Sequence, residues 1–129
     1  PVPDAELEEG SGDDADLLVV GWGSTWGAIT GAARRVRVAG GRVDHVHLTH
    51  LNPLPANLGD LLRSYQRVLV PELNLGQLVR ILRAEYLVDA QSLSKVKGQP
   101  FTAGEIQFAI TEALDGLAGI TGQNEGGTA

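Results

Sequence analysis

The sequence predicts a three-layer α/β/α domain with a mainly parallel sheet of four or five strands. Short apolar runs alternate with helix-periodic stretches from Asp16 to Leu117 in the order βαβαβαβα, with brief connections. Such alternation requires right-handed crossovers that lay helices over the faces of a parallel sheet. The first apolar run, Leu17-Leu18-Val19-Val20, is apolar at every position, as a strand buried on both faces must be. An additional antiparallel edge strand could come from sequence outside this chain.

The elements follow in order. Asp16 to Trp22 reads as the first strand, closed by Gly21 and Gly23. A helix is predicted from about Trp26 to Val38: Ile29, Ala32, Ala33 and Val36 share a stripe, and Gly40-Gly41 stops it. Val43 to Leu48 is the second strand, after which Asn52-Pro53-Leu54-Pro55 breaks the chain. Asn57 has the character of an N-cap for a helix over Leu58 to Tyr65, with Asp60 in its first turn. Arg67 to Val70 is the third strand. Asn74 is placed to cap a helix over Leu75 to Tyr86, and a fourth strand lies within Val88 to Val96. Thr102-Ala103-Gly104-Glu105 has capping-box spacing ahead of a stripe of Ile106, Ala109, Ile110, Ala113, Leu114 and Leu117.

Charge divides the chain of 129 residues unevenly. Residues 1–16 hold seven acids and no base, a local −7; the remaining 113 residues hold ten basic and nine acidic side chains, a net +1. The folded part therefore offers no broad basic face for nucleic acid. The reading is an acidic disordered linker at 1–16, an α/β domain at 17–118 and a flexible C-terminal tail at 119–129. No apolar run is long enough to span a membrane. With no cysteine, the chain has no disulfide, thiolate nucleophile or iron–sulfur ligand of its own. It also lacks methionine, even at position 1, and reads as a piece of something longer.

Chemistry-bearing motifs are sparse, and no catalytic residue and no metal site are assigned. Gly23, Ser24, Thr25 and Gly27 lie where the first strand turns into the first helix, a place suited to an anion or to a partner surface. The plainer alternative is a good helix start. Gly21, Gly23 and Gly27 also spell a loose dinucleotide fingerprint, which would make a small NADP-type module, but no acid ends the second strand to hold a ribose. Thr25 stands where a hydrolase elbow needs serine, and a β-branched residue suits that strained turn poorly. His45, His47 and His50 could approach a metal, yet only Asp44 stands near them, so structural or interface histidines are expected. Glu72, Asn74, Gly76 and Gln77 gather at the carboxyl end of the third strand, an edge where open α/β sheets bind ligands, and can equally serve as helix caps.

Four strings taken together resemble a family. Gly23-Ser24-Thr25 with Gly27, Leu51 with Pro53 and Pro55, Glu72 with Asn74, Gly76, Gln77 and Leu78, and Gly98 with Pro100, Phe101, Glu105 and Ile106 look like the C-terminal domain of the α subunit of 2-oxoacid:ferredoxin oxidoreductases, particularly those acting on 2-oxoglutarate. The resemblance spans about residues 17–106. It implies a transketolase C-terminal-domain-like fold in a cytoplasmic hetero-oligomer. In that enzyme thiamine diphosphate with Mg²⁺, an iron–sulfur cluster and coenzyme A act together, and ferredoxin accepts the electrons. It also implies partners, namely the remaining α-subunit domains and the β subunit. The family's G-D-G diphosphate motif is absent, so no cofactor is expected to be bound wholly by this chain; an anion- or CoA-binding domain using Gly21–Gly27 is the alternative.

Overall fold

The computed structural model describes residues 2–12, 15–72, 77–94 and 99–125. Four strands form one sheet: β1 (Leu17–Trp22), β2 (Val43–Leu48), β3 (Arg67–Glu72) and β4 (Ala90–Ser94). They are all parallel in the order β2-β1-β3-β4. Helices α1 (Trp26–Val38), α2 (Leu58–Arg63), α3 (Gln77–Tyr86) and α4 (Ala103–Glu125) complete the three layers.

The pleat divides the core. Leu17 and Val19 face α1 and α4, meeting Ile29, Ala32, Val36, Ile106 and Ile110. Leu18 and Val20 face α2 and α3, meeting Leu58, Leu62, Leu78 and Leu82. Each fully buried leucine or isoleucine contributes roughly 1.5–3 kcal/mol, so both faces of β1 are strongly held. Because β2 and β3 lie on opposite sides of β1, the strand order reverses there. The crevice outside the carboxyl ends of β1 and β3 is the topological switch point of the sheet.

Three expectations are revised. The acidic segment is no free linker over its described residues. Leu7 makes an antiparallel bridge to Val46, Glu8 N–H donates to the His45 carbonyl (2.7 Å), and Gly12 N–H donates to Asp44 Oδ1 (2.9 Å). Composition weighs side chains alone, whereas this strap is held by backbone groups meeting the open edge of β2. Asn57 does not cap α2; its amide both accepts from Ala5 N–H and donates to the Ala5 carbonyl (2.7 and 2.8 Å). At the other end, α4 runs on to Glu125 instead of ending near residue 118.

Smaller differences have local causes. Helix α2 stops at Arg63, two residues short of the prediction, and the Tyr65 hydroxyl turns inward to donate to Asp44 Oδ2 (2.7 Å). Helix α3 is described from Gln77, so the predicted cap Asn74 and first residue Leu75 lie outside the described residues. The capping box of α4 forms as predicted: Glu105 N–H donates to Thr102 Oγ1 (3.1 Å) and Thr102 N–H to Glu105 Oε1 (2.9 Å).

Candidate functional site at the carboxyl edge of the sheet

A polar turn after β1 and a buried carboxylate at the end of β3 flank the switch point. After β1, Gly23 adopts φ +63°, a backbone conformation that side chains resist, and opens a short 3₁₀ turn into α1. Thr25 does not cap the helix, because its hydroxyl turns back and donates to the Trp22 carbonyl (2.9 Å). A Cβ added to Gly23 or Gly27 would meet nothing within 4 Å. Trp22 and Trp26, the chain's two tryptophans, stand 37% and 49% exposed around this bare backbone. Gly21 differs: a Cβ there would lie 2.8 Å from His47 Nδ1 and 2.5 Å from Ile29 Cδ1, so close packing explains that glycine without a dinucleotide.

A histidine pair supports the turn from β2. His47 Nε2 lies 3.0 Å from the Gly23 carbonyl oxygen, and His45 Nε2 lies 3.3 Å from His47 Nδ1. A carbonyl can only accept, so His47 carries its proton on Nε2; when neutral it therefore accepts at Nδ1 from His45 Nε2–H. His45 is 1% exposed, and burial, then the neighbouring His47 and Arg37, pull its pKa down to about 3. It stays neutral at physiological pH. His50 does not join them; its Nδ1 pairs with the Thr49 hydroxyl (2.9 Å). Among the described residues no group of three His, Cys, Asp or Glu could hold a metal ion.

After β3, Glu72 is buried and takes both α3 amides within reach: Leu78 N–H donates to Oε1 (2.7 Å) and Val79 N–H to Oε2 (3.2 Å). A carboxylate at a helix N-terminus also meets the positive end of the helix macrodipole. Gln77 is exposed beside it, while Asn74 and Gly76 lie outside the described residues. Glu72 thus belongs to the fold's own hydrogen bonding.

A cavity of about 500 Å³ opens between α1 and the strap. Glu8, Glu9 and Gly10 form one wall; Trp26, Thr30, Arg34, Arg37 and Val38 form the other, with His45 beneath. Trp26 Nε1–H donates to Glu8 Oε1 (2.6 Å), and Arg37 donates to the Val43 carbonyl (3.0 Å) and to Ser11 Oγ (3.3 Å). Burial pulls the Arg37 guanidinium below its ordinary pKa, opposed by the charge of Asp44. Sequence patterns miss this cavity, because its second wall comes from a segment that reads as solvated tail.

These features define a class first: a parallel-sheet domain whose carboxyl edge carries a glycine-bearing turn and two exposed tryptophans. The chain matches no protein-family model. It is 56% identical over 115 residues to the 2-oxoglutarate oxidoreductase subunit KorA of Mycobacterium tuberculosis, covering 89% of this chain and 18% of that protein. It is 31% identical over 118 residues to the α subunit of 2-oxoacid:ferredoxin oxidoreductase 2 of Aeropyrum pernix, covering 88% of this chain and 18% of that one. Among solved structures, it is similar to the 2-oxoglutarate:ferredoxin oxidoreductase of Magnetococcus marinus, solved with 2-oxoglutarate, coenzyme A and succinyl-CoA bound. The TM-score is 0.79 and the identity 31%, over 87% of this chain and 20% of that one. A split-gene transketolase shares the fold, with a TM-score of 0.63 at 21% identity over 79% of this chain and 39% of that one. The chain belongs to the α-subunit family of 2-oxoacid:ferredoxin oxidoreductases and spans about a fifth of the length of the relatives it matches.

Proposed function

We propose that this chain is the accessory, subunit-packing domain of a thiamine diphosphate-dependent 2-oxoacid:ferredoxin oxidoreductase. The whole enzyme would convert 2-oxoglutarate and coenzyme A to succinyl-CoA, with electrons passing to ferredoxin in the cytoplasm. Its direct partners would be the remaining α-subunit domains and the β subunit. The observation that carries this reading is 56% identity to a 2-oxoglutarate oxidoreductase subunit over most of the chain. The ligands named for the Magnetococcus enzyme agree with it.

The residues present do not fit the family's cofactors. An iron–sulfur cluster needs thiolates, and the chain has no cysteine. A diphosphate–Mg²⁺ site needs free oxygen ligands, whereas the buried carboxylates Asp44 and Glu72 already accept hydrogen bonds from protein N–H and O–H groups. The proposed role is therefore mechanical. Gly23, Ser24, Thr25 and Gly27, with the exposed Gln77 at the start of α3, would form the face that packs on the rest of the enzyme or meets an anionic group there. The test is 2-oxoglutarate oxidation with a viologen acceptor. The chain alone should be inactive, and activity should require the remaining polypeptides; turnover by the chain alone would end this reading.

A further inference from the structure

His45 and His47 are joined in a way that limits the protons they can hold. His47 Nε2 lies 3.0 Å from the Gly23 carbonyl oxygen, which only accepts, so that nitrogen keeps its proton whether the ring is neutral or charged. The one place left on His47 for a further proton is Nδ1. That nitrogen lies 3.3 Å from His45 Nε2, with the two rings edge to face and their centroids 5.4 Å apart. Two N–H groups cannot face each other across such a contact.

We propose that the pair is a one-proton charge switch beneath the α1 start, in which a proton taken up on His47 drives neutral His45 from its Nε2–H to its Nδ1–H tautomer. Before uptake, His45 Nε2–H donates to His47 Nδ1. Afterwards the same contact runs in reverse: His47 Nδ1–H donates to His45 Nε2, while His47 Nε2–H still donates to Gly23. An Nδ1–H bond has formed on each ring, the His45 Nε2–H bond has broken, and one proton has come from solvent. The charge settles on His47 because of what each ring faces. On the strap side, Asp4, Glu6 and Glu8 line a cavity of about 300 Å³ with His47, and β1 sets only Gly21 opposite it. His45 is buried under the other cavity, where Arg34 and Arg37 of α1 stand against Glu8 and Glu9 of the strap. Burial, His47 and Arg37 together hold its pKa down to about 3. A second proton would set two N–H groups and two like charges against each other, so the pair takes one and keeps its geometry. A positive charge is thus switched on below the Gly23 turn with every hydrogen bond of the brace retained. This device lies within the chain and is independent of the packing role proposed above.

The experiment is a titration from about pH 8 to about pH 4.5 of the chain labelled with ¹⁵N in its histidines, read by the NMR shifts of the ring nitrogens. Those shifts tell the two neutral tautomers from the charged ring. His47 should gain its proton on Nδ1, and over the same pH interval His45 should stay neutral and exchange Nε2–H for Nδ1–H. In His47→Gln, whose amide can still donate to the Gly23 carbonyl, His45 should hold one tautomer throughout. A His45 that keeps Nε2–H while His47 titrates, or that takes the first proton itself, would overturn the inference. So would a His47 that takes no proton, or a tautomer change at His45 that survives in His47→Gln.

Discussion

Two helices leave the carboxyl edge of this sheet, and they begin in opposite ways. Helix α3 starts against Glu72, whose buried carboxylate accepts from two of its first amides. Helix α1 starts with no side-chain cap, because Thr25 bonds back to Trp22, and with two glycines whose missing methyl groups would touch nothing. The α3 start is closed by its own chain; the α1 start is braced from below by His47 and left bare above. The proposed packing role makes sense of that contrast, because a domain set within a longer subunit would finish some surfaces itself and leave others to its neighbours. In that role, the bare α1 start would meet the neighbours, while the α3 start serves the fold's own hydrogen bonding.

The largest expected effect lies in the brace beneath α1. His45 resists the proton that the unfolded chain accepts below pH 6.5, with its folded pKa drawn down to about 3. Its contribution is therefore complete above about pH 6.5 and is lost as the pH falls from there toward 3. Urea unfolding of wild type and His45→Gln at pH 7 and pH 4 checks this. Wild type should lose roughly 3 kcal/mol more than the variant over that interval. Parallel losses would mean that His45 takes its proton in the folded state, and that α1 rests on a softer support than its burial implies.

Breaking the closed start comes next in size. Glu72→Ala leaves the Leu78 and Val79 amides without their acceptor and should cost roughly 2–3 kcal/mol of stability. Thermal melting reads this directly. Binding to the rest of the subunit, measured well below the melting temperature, should change much less. A variant that melts normally but binds poorly would reverse the division of labour between the two helix starts.

Much of the fold was legible because the sheet is buried on both faces, so its strands announce themselves as short apolar runs. The β-α order then leaves few arrangements open. The Thr102–Glu105 cap was legible for a similar reason, both partners lying within one turn of sequence. Glu72 stood out as a polar residue at the right strand end, but its role depends on amides six and seven residues later, which only the folded turn brings above it. The cavity beside α1 could not be found at all, because one of its walls is Glu8 to Gly10, which charge counting assigns to solvent. The strap itself was misread because its anchors are backbone amides and the side chains Asp44 and Asn57, distant in sequence.

The smallest effect gives the sharpest separation. Gly27 sits in the first turn of α1 with helical neighbours and open space where a Cβ would lie, so nothing within the chain requires glycine there. Alanine costs less backbone entropy in a helix, and Gly27→Ala should stabilise the isolated chain by roughly 0.5 kcal/mol. If the bare turn is where another polypeptide lies close, the added methyl group should also weaken association with the rest of the subunit. Stability and binding would then move in opposite directions from one carbon atom. That is the mark of a surface shaped for a neighbour, and a variant improved or unchanged in both measurements would move the interface away from this turn.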